Sequence, residues 1–127
     1  MMNVFLIFLG GGLGSVARWS LALGVQQLSD KTALHRFPLG IFTCNILGCF
    51  LIGCLFGYFA ERNAPGWVFP LLATGFLGGF TTFSTFARDS QEMWANGFTG
   101  LALVQMIGSV VVGILAVCLG MKLTHAG

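Results

Sequence analysis

The stretch Gly75-Phe76-Leu77-Gly78-Gly79-Phe80-Thr81-Thr82-Phe83-Ser84-Thr85-Phe86 decides how the chain is read. It falls inside the third of four apolar stretches, where an uninterrupted helix would be the default. Paired glycines followed by consecutive hydroxyls weaken a helix. Irregular backbone at membrane depth is tolerated only when it is buried in protein or lines a polar cavity. The segment therefore predicts a broken third span with carbonyls and amides free for an ion. Helix resumed after the break would put Phe83 and Phe86 on one face, three apart, with Thr82 and Thr85 at the same spacing.

Around this segment the chain reads as membrane-embedded. Of its 127 residues 56% are hydrophobic and 8% charged, against about 25% charged in a soluble domain. A span needs about 20 apolar residues, so about five would be the limit and four fit with natural loops. They are predicted over residues 4–28, 37–60, 67–92 and 98–123 of a single all-α transmembrane domain, 1–127. The first is expected to remain a span and not to act as a secretory signal, since no Lys or Arg precedes it and no small-x-small cleavage pattern follows. Trp19, Trp67 and Trp94 fall near predicted span ends and read as interfacial anchors. Cys44, Cys49 and Cys54, five residues apart, point to different faces of a helix and read as packing residues.

Four spans put Lys31, Arg36 and Arg88 on one side of the membrane, Arg62 and Lys122 on the other. Orientation follows Lys/Arg asymmetry in short loops, and three against two is a weak instruction. Charge counting leaves two readings open: one fixed orientation, or insertion both ways and assembly of an antiparallel pair. Small residues four apart, Gly10/Gly14, Gly53/Gly57 and Ser109/Gly113, mark close helix contacts without saying which helices meet.

The only acids, Asp30, Glu61, Asp89 and Glu92, lie in loops or at span ends. Cation pathways and proton-coupled exporters place a carboxylate inside the membrane, and this chain places none there. What it places at depth are neutral donors: Thr43, Asn45, Thr81, Thr82, Ser84, Thr85 and Ser109, with Arg18 near the end of the first span. Donors solvate anions. Aromatic ring edges are electropositive, so Phe83 and Phe86 can add edge-on coordination without charge. For Asn45 both pore lining and a hydrogen bond gluing two helices are open. For Arg18 the alternatives are snorkelling to the interface and concentrating anions at a pore mouth. A P-loop, an H-E-x-x-H helix and a hydrolytic carboxylate pair are all lacking, so an enzyme is not expected, nor is a nucleic-acid partner.

These residues resemble the Fluc family of fluoride channels, the CrcB-type proteins, along essentially the whole chain. The match runs through Gly11-Gly12-x-Gly14-x-x-x-Arg18-Trp19, Pro38-Leu39-Gly40 leading to Asn45-x-x-Gly48, and the block that opened this section. The resemblance implies a dual-topology antiparallel homodimer in the inner or plasma membrane, with two fluoride pores at the subunit interface and passive efflux of fluoride. It implies Phe83 and Phe86 as pore phenylalanines, Asn45 as their polar partner, Ser84, Thr85 and Ser109 along a hydroxyl track, and Arg18 and Asp89 at the vestibule. It also implies a structural sodium ion, the one cofactor expected, held by the backbone carbonyls of Gly78 and Thr81. Three positions depart from the family pattern: Ile41 stands for a threonine, Asp89 for a glutamate and Gln105 for a tyrosine. Competing readings are a small dual-topology transporter, which lacks its membrane acid here, and a non-conducting assembly subunit.

Overall fold

The computed structural model describes residues 1–125, and among these every regular element is helical. The order is α1 (Met2–Ser29), α2 (Leu39–Tyr58), a π-wound segment π1 (Phe69–Leu77), a single turn α3 (Gly78–Phe80), α4 (Phe83–Ala95) and α5 (Thr99–Thr124). Three of these, α1, α2 and α5, are long and apolar enough to cross a membrane. The third predicted span exists in pieces, π1, α3 and α4, so no single helix carries it.

The break lies at Thr81 and Thr82, whose backbone is extended (φ −96°, ψ 156° and φ −147°, ψ 125°). This lies inside the glycine–hydroxyl run singled out from the sequence, at its hydroxyls and not at its glycine pair. Gly78 and Gly79 remain helical because the second of them lies on α1: a Cβ on Gly79 would land on the Gly11 carbonyl. Thr82 leaves the helix because its hydroxyl works better at the end of one. It is the N-cap of α4, where its Oγ1 accepts from the Thr85 amide at 3.3 Å. Thr82 and Thr85 are thus cap and capped turn, and do not form a stripe on one helix.

The π winding was not foreseen. The Gly78 amide donates five residues back, to the Ala73 carbonyl, and Pro70 at the start withdraws a donor where none is needed. Gly75 on this segment meets α1 backbone to backbone, since a Cβ there would come within 3.1 Å of the Gly10 Cα. The small-residue pairs now have partners. Gly10 and Gly14 of α1 face the backbone of π1 and α3, while Gly53 and Gly57 of α2 face Val117 and Met121 of α5. α2 lies along α5, and α1 along π1, α3 and α2.

Side chains stitch the ends. The Gln26 carbonyl oxygen accepts from the Gly40 amide at 3.1 Å and its Nε2 donates to Asp30 at 3.0 Å, so α1 caps the start of α2. Arg36 stacks on Phe98 at 4.4 Å, joining the α1–α2 and α4–α5 loops on one side. Glu61 and His125 approach to 3.7 Å at the opposite side, as alternating spans require. Trp67 precedes π1 and Trp94 closes α4, both half exposed, but Trp19 stands well inside α1. The free cysteines range from the buried Cys44 to the exposed Cys118, and no cluster of metal-binding side chains occurs among the described residues.

Packing through bare backbone gives a clear expectation. Gly14→Ala puts a methyl onto the Phe76 carbonyl, and overpacking of this kind costs roughly 1–3 kcal/mol. Gly12→Ala, with nothing within 4 Å, leaves the detergent-solubilised melting temperature unchanged while Gly14→Ala lowers it.

Candidate functional site

A break inside the membrane strands the groups on either side of it, and an unpaired buried backbone group costs on the order of 1–3 kcal/mol. Three side chains settle them here. Asn45, midway along α2, accepts from the Thr82 amide through Oδ1 at 2.9 Å and donates from Nδ2 to the Thr82 carbonyl at 3.0 Å. Arg18 of α1 donates from Nε to the Gly79 carbonyl at 3.0 Å. Thr81 Oγ1 donates to the Leu77 carbonyl at 3.0 Å, beside the Thr81 amide on the same oxygen. Both of the uses left open for Asn45 are therefore compatible. Two of its four hydrogen-bonding positions hold the break, and one N–H and one lone pair stay unspent.

That remaining capacity faces a groove of about 410 Å³. Asn45, Gly48, Cys49 and Ile52 form its α2 wall, Ser109 and Val110 its α5 wall, and Ala73, Leu77, Gly78, Thr81, Thr82, Phe83 and Phe86 the remainder. Phe83 is 79% exposed in the single chain. Its ring centroid stands 5.5 Å from that of Phe86, with the planes inclined at 44°. Seven of the residues singled out from the sequence, Asn45, Gly78, Thr81, Thr82, Phe83, Phe86 and Ser109, thus meet in one groove, and the Oγ of Ser109 is buried without a partner. Ser84 and Thr85 do not line it. Their hydroxyls cluster with Thr82 Oγ1, at 3.3 and 3.4 Å, around the cap of α4.

Arg18 and Asp89 lie instead in a second cavity, of about 610 Å³, with Trp19, Arg36, Arg88 and Glu92. Asp89 is paired with Arg88 at 2.8 Å, a contact in which Arg88 is largely exposed and which therefore adds little to stability. Ile41, at the position where the family pattern has a threonine, also lines this cavity. Arg18 is half-buried, bonding to the break through Nε while lining this cavity.

Sequence reasoning passed over Gly48, Cys49 and Ile52. The spacing 45, 48, 49, 52 is a helical stripe, and extending it from Asn45 would have found them. Gly48 has a specific duty: a Cβ there would land on the Thr81 methyl, so only glycine lets α2 come this close to the break.

The family model described as CrcB-like protein, Camphor Resistance (CrcB), matches residues 5–121. The chain belongs to the CrcB-like family. A relative from Phocaeicola vulgatus, named fluoride-specific ion channel FluC, is 40% identical over 125 residues, covering 98% of this chain and 100% of its own length. Relatives of the same name from Methylobacillus flagellatus and Paracoccus denitrificans are 40% and 43% identical, over 97% and 95% of this chain and 94% of their own lengths. The family names these CrcB-like relatives carry are those of ion channels, not enzymes.

Asn45→Leu removes both bonds to Thr82 and orphans its amide and carbonyl, for an expected loss of about 2–5 kcal/mol. Equilibrium unfolding in mixed micelles checks it, with Asn45→Asp, which keeps only the acceptor, falling between the two.

Proposed function

We propose that the chain is a fluoride-selective channel that lets the ion leave the cytoplasm passively, as a dual-topology antiparallel homodimer in the inner or plasma membrane. The observation that carries the reading is the groove where two phenylalanines, an amide with an unspent N–H and an unpartnered serine hydroxyl meet beside a broken span. Its ligands are weak and neutral. An anion meets ring edges and single donors, enough to replace part of its hydration yet too little to trap it. The relatives' printed name supports the choice of ion.

Pairing of two copies is supported by the exposure of that groove. In a single chain it would open Thr82, Ser84 and the extended backbone of the break toward lipid, where unsatisfied backbone is costly. An inverted second copy would wall it in, and the near balance of Lys31, Arg36 and Arg88 against Arg62 and Lys122 is compatible with insertion both ways. The pores would then run at the subunit interface, past Phe83, Phe86, Asn45 and Ser109, with Ser84 and Thr85 bordering them and Arg18 raising anion concentration at the mouth.

A structural sodium ion fits the donor set at the break. Hard monovalent cations take oxygen ligands, and no hydrogen bond reaches the Thr81 carbonyl among the described residues. Thr81 and Gly78 of each copy would hold the ion through backbone oxygens. Bound there, it would offset the negative ends of carbonyl dipoles left by the break and lock the two copies together.

Membrane potential, negative inside, supplies about 2.3 kcal/mol per charge per 100 mV for outward movement of an anion. No coupling acid is required. Purified protein in liposomes loaded with potassium fluoride is expected to release fluoride on addition of valinomycin, at rates far above empty vesicles. Phe83→Ile and Phe86→Ile each slow release at least about tenfold, which corresponds to roughly 1.4 kcal/mol in the barrier. Background release by the wild-type protein overturns the channel; full release by both variants overturns the ring-edge mechanism.

A further inference from the structure

Gln105 is fully buried, 0% exposed, and neither its Nε2 nor its Oε1 has a partner. Two other buried side-chain oxygens share this condition, Ser90 Oγ and Ser109 Oγ, and all three residues lie on α4 and α5. These helices run antiparallel from the tight turn at Gly97, whose φ is 86°. Counting outward from that turn, Met93 stands opposite Ala102, Ser90 opposite Gln105, and Phe86 opposite Ser109. Met93, Ser90, Ala102 and Gln105 are buried, and Phe86 and Ser109 line the same groove, as this register requires. The unpartnered groups therefore form one row in the α4–α5 seam. Ser109 touches the groove at its inner end, and Met93, one turn beyond Ser90, lines the vestibule.

An unpaired amide in a dry seam is costly at both of its ends. A second copy of the chain does not relieve it, because a residue with no accessible surface in one chain is out of a partner's reach while the seam is closed. A bare anion would answer only the Nε2 donor and leave Oε1 orphaned. Water both donates and accepts, and buried water characteristically bridges two to four such groups. Nothing else about the row selects a larger ligand.

Resting on the channel reading above, we infer that the α4–α5 seam holds ordered water seated on Gln105, Ser90 and Ser109, and that this water serves the permeating anion from behind Ser109. The water turns an acceptor-donor pair that no ion can satisfy into an outward-facing donor at the groove wall. Gln105 is thus a positioning residue: it never touches the ion, and the water it fixes orients the Ser109 hydroxyl at the groove wall. The amide suits that duty since it has no pKa in the working range and its two ends hold the water in one orientation.

Two readouts test this together. In protein labelled with 15N at glutamine side chains, the Nε2 protons that vanish from the spectrum of Gln105→Met are expected to show a cross-peak to water in the wild type, despite complete burial. Gln105→Met, unbranched and apolar, is expected to leave the melting temperature near the wild-type value, since it removes the amide together with the need for the water that satisfies it, an exchange that is nearly neutral. It is also expected to slow fluoride release about tenfold. No water cross-peak in the wild type overturns the inference. So does a Gln105→Met protein that conducts fully, or one whose flux falls only in step with its stability, which would make Gln105 a structural residue. The cross-peak is read without flux, so a wild-type protein that passes no fluoride would refute the channel while leaving the water site to be judged by itself.

Discussion

The exchange of two hydrogen bonds between Asn45 and the backbone of Thr82 is the interaction on which the rest of the molecule depends. Without it, the extended residues Thr81 and Thr82 would leave an amide and a carbonyl bare at membrane depth, and the third span would heal into continuous helix or be expelled. An amide side chain answers both from two separate atoms while carrying no charge. Aspartate would answer the Thr82 amide and repel its carbonyl. Lysine would do the reverse and carry a charge into hydrocarbon. Because the bonds join α2 to the start of α4, they also set where Phe83 and Phe86 stand relative to α2 and α5, so the stability of the break and the geometry of the groove are one quantity.

Glycine makes that bond reachable. Gly48 lets α2 approach until the Thr81 methyl fills the space of a side chain, and Gly10, Gly14, Gly75 and Gly79 let α1 lie on the other flank of the broken span. Helices in a bilayer gain little from apolar contact with each other as against lipid, and close backbone approach replaces that driving force with van der Waals contact. The broken element is gripped from both sides by chains with no side chain at the point of contact. This explains how a segment containing a π turn, three glycines and an extended step can hold one geometry.

Much of this was legible in the sequence. Composition and span length gave a helical membrane chain, the glycine–hydroxyl run marked the broken span, and the interleaved Phe83 and Phe86 marked the groove. Within that run the break falls on Thr81 and Thr82 and not on the glycines because a threonine that gains a capping hydrogen bond outside the helix leaves it more readily than a glycine pinned against a neighbour. The partner of Asn45 was not legible, since Thr82 is 37 positions away and only folding brings the two together. The π winding left no periodic signal, because nine residues are too few to tell a turn of 3.6 from a wider one. Gln105 read as a departure from a family pattern, and its burial made it informative.

Arg18 shows how such a sparse chain combines duties. Its Nε satisfies a carbonyl that the break releases, which is a local structural demand, while the residue also lines the larger cavity. A cation placed there without the carbonyl would pay full desolvation for a potential that salt partly screens. Anchored to Gly79, the guanidinium recovers part of that cost as a charge-assisted bond and still projects a field toward the groove. Arg88, whose charge is answered by Asp89 at the rim, contributes less of either. Position therefore decides the worth of each cation. The one tied to the break acts on the fold, and it does so from α1, an element that contributes no residue to the groove itself.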